Sequence, residues 1–191
     1  MDNKEQIKKL RDNAELAMAS YGYFHLTDKT YKHNDKDEKR LKEFRELKAK
    51  ALGKDIDESI YPTYIDILNI EYNSFLGGDM TPTQTQRFFS RYDLLIHQPN
   101  TESGLSATLF GEKRKQRNTE SKEISYTSEY GYINYILAIR GTEPNNKGDI
   151  GADTKLALGN IPKKQHLDML LFYYQCIGKI LFMQKEILKN I

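Results

Sequence analysis

The residues that could do chemistry sit in a few short stretches. Tyr135-Ile136-Leu137-Ala138-Ile139 is an apolar run that stops abruptly at Arg140-Gly141-Thr142-Glu143. A strand ending on glycine lets backbone and ligand approach closely, because no side chain intervenes. Asp149 and Asp153 follow, four residues apart and so on one helical face. Arg140 is placed to pair with either and fix the intervening loop. The plain alternative is a strand-ending turn at Gly141-Thr142 and surface aspartates with no special partner.

Other reactive side chains show no constellation. None of the nine serines lies in a Gly-x-Ser-x-Gly elbow; Ser103 and Ser106 flank Gly104 in an early hairpin. His25, His33, His97 and His166 lack metal-ligand spacing and read as surface or satisfied histidines. Cys176, the single cysteine, falls near the buried face of the last helix and reads as a small apolar residue. Lys113-Arg114-Lys115-Gln116-Arg117 is a local basic cluster. It has the charge to touch anionic lipid or phosphate, but it is short and lacks interleaved aromatics, so it reads as a solvated hairpin tip. No glycine-rich phosphate loop is present, and neither a cofactor nor a metal is expected.

These residues need elements to hold them. Helical spacing of Ile7, Leu10, Ala14, Ala17 and Met18 predicts a first helix over about 4–20, capped by Asp2 or Asn3. A second, mostly charged helix runs from Asp35 to Leu52, with Leu41, Phe44, Leu47 and Leu52 as a thin apolar stripe and Gly53 as its stop. Tyr61 to Tyr72 is a short helix or an irregular packing segment. Thr81-Pro82 starts a helix that reaches about Ser90. Three strands follow, at Tyr92–His97, Leu105–Phe110 and Tyr132–Arg140, with a long polar hairpin loop between Glu112 and Glu129. Sequential strands usually lie side by side, so antiparallel neighbours are expected. A short helix over Asp149–Leu158 precedes the last one, Lys163–Lys189, whose buried face is read from Leu167, Leu170, Leu171, Tyr174, Ile177, Gly178 and Leu181.

A chain of 191 residues has enough length for one domain with a real core. Its 29 basic and 27 acidic residues leave a net charge of +2, which argues against a nucleic-acid binder driven by global charge. One cysteine excludes an intrachain disulfide and fits a reducing compartment. The polar start has no signal-peptide core, and the longest apolar run is too short to span a membrane. Cytoplasm is the default location.

Together these segments resemble the class 3 lipase branch of the α/β-hydrolase family, most closely its bacterial lipase and phospholipase-like members. The likeness rests on Gln98-Pro99-Asn100-Thr101-Glu102-Ser103-Gly104-Leu105-Ser106-Ala107-Thr108-Leu109-Phe110, then Leu137 to Glu143. It continues through Gly148-Asp149-Ile150-Gly151-Ala152-Asp153 to Gln165 and Asp168-Met169. It covers about residues 88–185, while 30–80 read as an unmatched helical insertion. The resemblance implies that Thr142, with Gly141, supplies an oxyanion-hole donor through its backbone N–H. Such a donor stabilises the negative charge that acyl transfer builds on a carbonyl oxygen. Arg140, Asp149 and Asp153 are then structural support.

A complete relative would hydrolyse a lipid or small ester through an acyl-serine intermediate, without metal or cofactor. Its serine elbow, triad and second oxyanion donor are not found in these residues. The expectation is thus a partial α/β-hydrolase-like fold, a small mostly antiparallel sheet flanked by helices, truncated before its nucleophile and inactive alone. An exposed apolar sheet face is expected to favour self-association or a complementing chain. The other reading is a non-catalytic lipid- or protein-binding domain derived from that fold.

Overall fold

The structure is a computed structural model that describes residues 2–117, 119, 122–141, 147–158 and 162–189, apart from the side chains of 147–150 and 188. The described residues form seven α-helices and five strands, a mixed α/β architecture. Packing divides the chain into two compact units, 1–88 and 89–191. The single-domain expectation stands beside this division, which falls where the segments that carry the sequence resemblance start.

The first unit is helical and built around its caps. Helix α1 spans Asn3–Ala19, with Asp2 at its N-cap. It buries Glu15, Leu16 and Ala19, whereas Ile7 and Leu10 of the predicted stripe are exposed. Glu15 accepts a hydrogen bond from Arg87. Helix α2 spans Asp35–Leu52, as its pattern predicts. Asn34 accepts from the N–H groups of Lys36 and Asp37, while Asp37 accepts from the Asn34 N–H. This reciprocal box satisfies donors that a helix start leaves orphaned. Gly53 ends α2 in the left-handed region, φ 61°.

Residues 61–72 resolve into α3 (Tyr64–Leu68) and a 3-10 turn at Ile70–Tyr72. The short α4 (Asn73–Leu76) follows. Thr63 boxes with Asp66 at the start of α3, and Lys48 reaches the same carboxylate at 2.7 Å. Leu26, Leu41, Phe44, Ile67, Leu68, Leu76 and Met80 form the buried apolar set. A side chain on Gly78 would meet the Ile67 carbonyl at 2.2 Å, so only glycine fits that crossing. Thr81 and Gln84 cap α5 (Pro82–Arg91) in the same reciprocal way.

The second unit carries β1 (Tyr92–Gln98), β2 (Ala107–Glu112), β3 (Arg114–Arg117), β4 (Ile124–Thr127) and β5 (Asn134–Ile139). Helices α6 (Lys147–Ala157) and α7 (Lys163–Lys189) complete it. Strands β1, β2 and β5 make one antiparallel sheet with β2 in the middle. Leu95 is the extra residue of a bulge between Leu94 and Ile96. Alternation in β2 sends Ala107 and Leu109 to one face and Thr108 and Phe110 to the other, and all four are buried. On the first face they meet Phe172 and Cys176 of α7, with Leu137 and Ile180 packed alongside.

Two features differ from expectation. The polar segment after Glu112 is not loop alone: β3 and β4 pair as a separate antiparallel ribbon, from Arg114 opposite Thr127 to Arg117 opposite Ile124. Helix α7 turns a different face to the sheet. Phe172 and Cys176 are buried, while Leu167, Leu171, Tyr174 and Leu181 are exposed. The helix is apolar on more than one side, so periodicity alone selects the wrong stripe.

Candidate functional site

The loop from Gln98 to Ser106 is the part of the sheet that builds a site. The Thr101 N–H donates to the Leu105 carbonyl at 2.9 Å, and the Gly104 N–H donates to the Thr101 carbonyl at 3.1 Å. The tight turn needs a left-handed residue, supplied by Gly104 at φ 91°. Ser106 Oγ donates back to the Gln98 carbonyl at 3.0 Å, closing the loop neck.

This loop grips two distant parts of the chain. Ser103 Oγ donates to Asp168 Oδ2 of α7 at 2.6 Å and lies 2.9 Å from Thr101 Oγ1. Gln165 Nε2 approaches the Ser103 carbonyl at 3.5 Å. On the other side Arg140, at the end of β5, donates to Asn100 Oδ1. The Arg140 N–H extends the ladder to the Ser106 carbonyl at 2.9 Å. Hydrogen bonds involving a charged group are the stronger kind, so Arg140 and Asp168 fasten the loop from both ends.

Between these anchors lies a cavity of about 370 Å³ at the carboxyl end of β5. Leu105, Ile139, Leu156, Pro162 and Met169 give it apolar walls, and Arg140, Gly141, Asp153, Gln165 and His166 supply polar atoms. Mostly apolar walls with a few convergent polar groups are typical of small-molecule sites. A neighbouring depression of about 170 Å³ shares Pro162 and Gln165 and adds Glu102, Ser103, Lys155 and Lys164.

Of the residues singled out in the sequence, Arg140, Gly141 and Asp153 all line the cavity. Arg140 is buried, against Asn100. Thr142 and the side chain of Asp149 lie outside the described residues. Sequence reasoning missed the part played by Asn100, Ser103 and Asp168, whose partners are 40 and 65 residues away. His166, read as a surface or satisfied histidine, is exposed and also lines the cavity.

The remaining reactive groups are structural. His97 Nδ1 and Thr108 Oγ1 share a hydrogen bond of 2.8 Å across β1 and β2. His25 Nε2 meets the buried Asp37 at 3.1 Å in the first unit. Burial pushes the Cys176 thiol up to about 11, so it is no nucleophile at neutral pH. Tyr132 donates to Asp93 at 2.9 Å; burial first, then that bond, push its phenol up to about 12. No cluster of three or more metal-ligating side chains occurs among the described residues. No helix described is long and apolar enough to cross a membrane.

Comparison with family models, with curated proteins and with solved structures finds no match to this chain.

Proposed function

We propose that this chain supplies the first oxyanion-hole element and the acyl-side cavity of a lipase-like serine ester hydrolase. One observation supports the reading above all. Three sequence segments that carry the resemblance, 98–105, 140–141 and 165–169, meet around one apolar cavity. Apolar walls with a few convergent polar groups, which these segments supply together, are what a small-molecule site requires. In this reading the ester's alkyl or acyl part lies against Leu105, Leu156 and Met169. The resemblance assigns the donor for its carbonyl oxygen to the backbone N–H of Thr142, outside the described residues, a bond that would gain strength as negative charge develops there. Arg140 holds the strand end through Asn100. The attacking serine and its base come from sequence that these 191 residues do not contain, since no Gly-x-Ser-x-Gly is present.

The test begins with the coding DNA beyond codon 191, translated in the three forward frames. A product that includes an elbow should hydrolyse p-nitrophenyl butyrate, and the 191-residue chain should match buffer. Thr142→Pro, which deletes the donor N–H, should lower kcat of that product by about 100-fold or more. An unchanged kcat, or no elbow in any frame, sinks the proposal.

A second reading, non-catalytic lipid binding, is supported by the same cavity and by the exposed apolar residues of α7. The 191-residue chain should then bind a fluorescent fatty acid by itself, and Leu156→Arg should abolish that binding. Retention of binding in Leu156→Arg counts against it.

A further inference from the structure

The ribbon of β3 and β4 stands apart from the main sheet. Four residues of β3 carry three cations, Arg114, Lys115 and Arg117, and all are exposed. No ion pair joins these three to another described residue. Lys113, the first member of the basic cluster, behaves differently. It pairs with Asp93 at 2.8 Å and donates to the Phe89 carbonyl at 2.9 Å, so it anchors the ribbon's root. Glu112, the nearest acid on β2, is held by Arg91 at 3.5 Å and by Asn134 at 2.7 Å. Strand β4 has no acidic residue, though Glu123 precedes it.

Register decides what shares a face. Lys115 lies opposite Tyr126, and Arg117 lies opposite Ile124. Directly opposed residues project to the same side, so one face carries the exposed Lys115, Arg117 and Ile124 together with the half-buried Tyr126. Ile124 is 52% exposed, with no apolar neighbour on the opposing strand to hide it. The other face, with Arg114, Gln116, Ser125 and Thr127, is wholly polar.

We propose that the Lys115/Arg117/Tyr126/Ile124 face is a docking surface for an anionic lipid bilayer. The chemistry matches on each count. Two cations and a third behind them complement an anionic headgroup layer. Tyr126 has the amphipathic ring that settles at the membrane interface. Ile124 supplies the apolar tip that reaches the acyl boundary, which a nucleic-acid surface would not reward. The ribbon is a sheet separate from β1-β2-β5, so its docking breaks none of the main sheet's ladders. This proposal does not depend on ester hydrolysis, and its readout involves no turnover, so the two readings stand or fall separately.

Sedimentation of the full chain with phosphatidylcholine vesicles, with and without phosphatidylglycerol, tests it. Binding is expected to the anionic vesicles only and to fade at high salt. Each basic residue near such a surface contributes about fivefold in partitioning, so Lys115→Gln with Arg117→Gln should lose about 30-fold. Ile124→Ser should lose about tenfold. Lys179→Gln with Lys185→Gln removes the same charge from exposed positions on α7 and should lose little. Absence of vesicle binding overturns the proposal, as does equal loss in the α7 pair or indifference to Ile124→Ser. Tighter capture by a single-stranded oligonucleotide than by vesicles also overturns it, in favour of a nucleic-acid surface.

Discussion

Which side of α7 meets the sheet can be settled by two truncations two residues apart. Phe172 is 2% exposed and packs with Ala107, Leu109 and Cys176; Tyr174 is 68% exposed. Burying a phenylalanine and then deleting its ring costs about 3–5 kcal/mol, transfer and residual cavity together. The neighbours across the sheet, Ala107 and Leu109, sit on a hydrogen-bonded ladder, so collapse around the gap is limited. The helix itself is free on its outer side and can settle inward, which places Phe172→Ala near 3 kcal/mol. Tyr174→Ala should stay within about 0.5 kcal/mol, as surface substitutions do. Urea unfolding followed by circular dichroism reads both, with each unit's transition fitted separately because two units need not unfold together. The midpoint should fall for Phe172→Ala with the slope unchanged. A larger loss at Tyr174 than at Phe172 would refute the packing described here and restore the stripe that periodicity favours.

Further outcomes follow from the same reasoning. Tyr132 ionises only near pH 12 in the folded chain, above the ordinary phenol value. Its contribution is therefore whole below about pH 10 and lost as pH rises through the folded value, so Tyr132→Phe should flatten the alkaline loss of stability seen by urea titration. Burial opposes ionisation of Asp37, but the His25 hydrogen bond and Arg40 outweigh it and hold the carboxyl below its usual range. That stability is present above about pH 4 and drains as pH falls through the folded value, and Asp37→Ala should cost about 2 kcal/mol and blunt the acid transition of the first unit. Gly78→Ala should cost about 3 kcal/mol, because its Cβ would lie 2.2 Å from the Ile67 carbonyl. Gly53→Ala meets open space and should cost only about 1–2 kcal/mol, the strain of φ 61° without a clash. A thermal melt of the pair separates the two.

Much of the scaffold was legible because single residues announce it. Gly53 stops α2 at its predicted end, and Thr81-Pro82 starts α5. The three main strands, read from alternation and turn residues, lie in the antiparallel order expected. Strands β3 and β4 were not legible: Arg114–Arg117 has no apolar residue to alternate, so only the ladder reveals it. The face of α7 failed for the opposite reason. Its apolar residues go nearly all round, and only the sheet's apolar face, with Ala107 and Leu109, selects the Phe172 side. At the candidate site the sequence pointed to Arg140, Gly141 and Asp153. The Asn100 and Ser103–Asp168 fastenings escaped it, because such partners are fixed by tertiary approach and leave no local spacing.

The burial of Cys176 gives this chain a built-in clock. The only thiol lies on the sheet-facing side of α7, packed with Phe172, Ala107 and Leu109, and is held protonated at neutral pH. A thiol reagent can reach it only when the helix lifts away. The labelling rate of the native protein therefore equals the rate at which that opening exposes the sulfur when reagent is abundant. When reagent is scarce it measures the open fraction instead. Any molecule that settles into the cavity beside Gln165 and Met169 and holds the start of α7 down will slow that reaction. Occupancy of the site can thus be timed with an ordinary disulfide reagent before its ligand has a name.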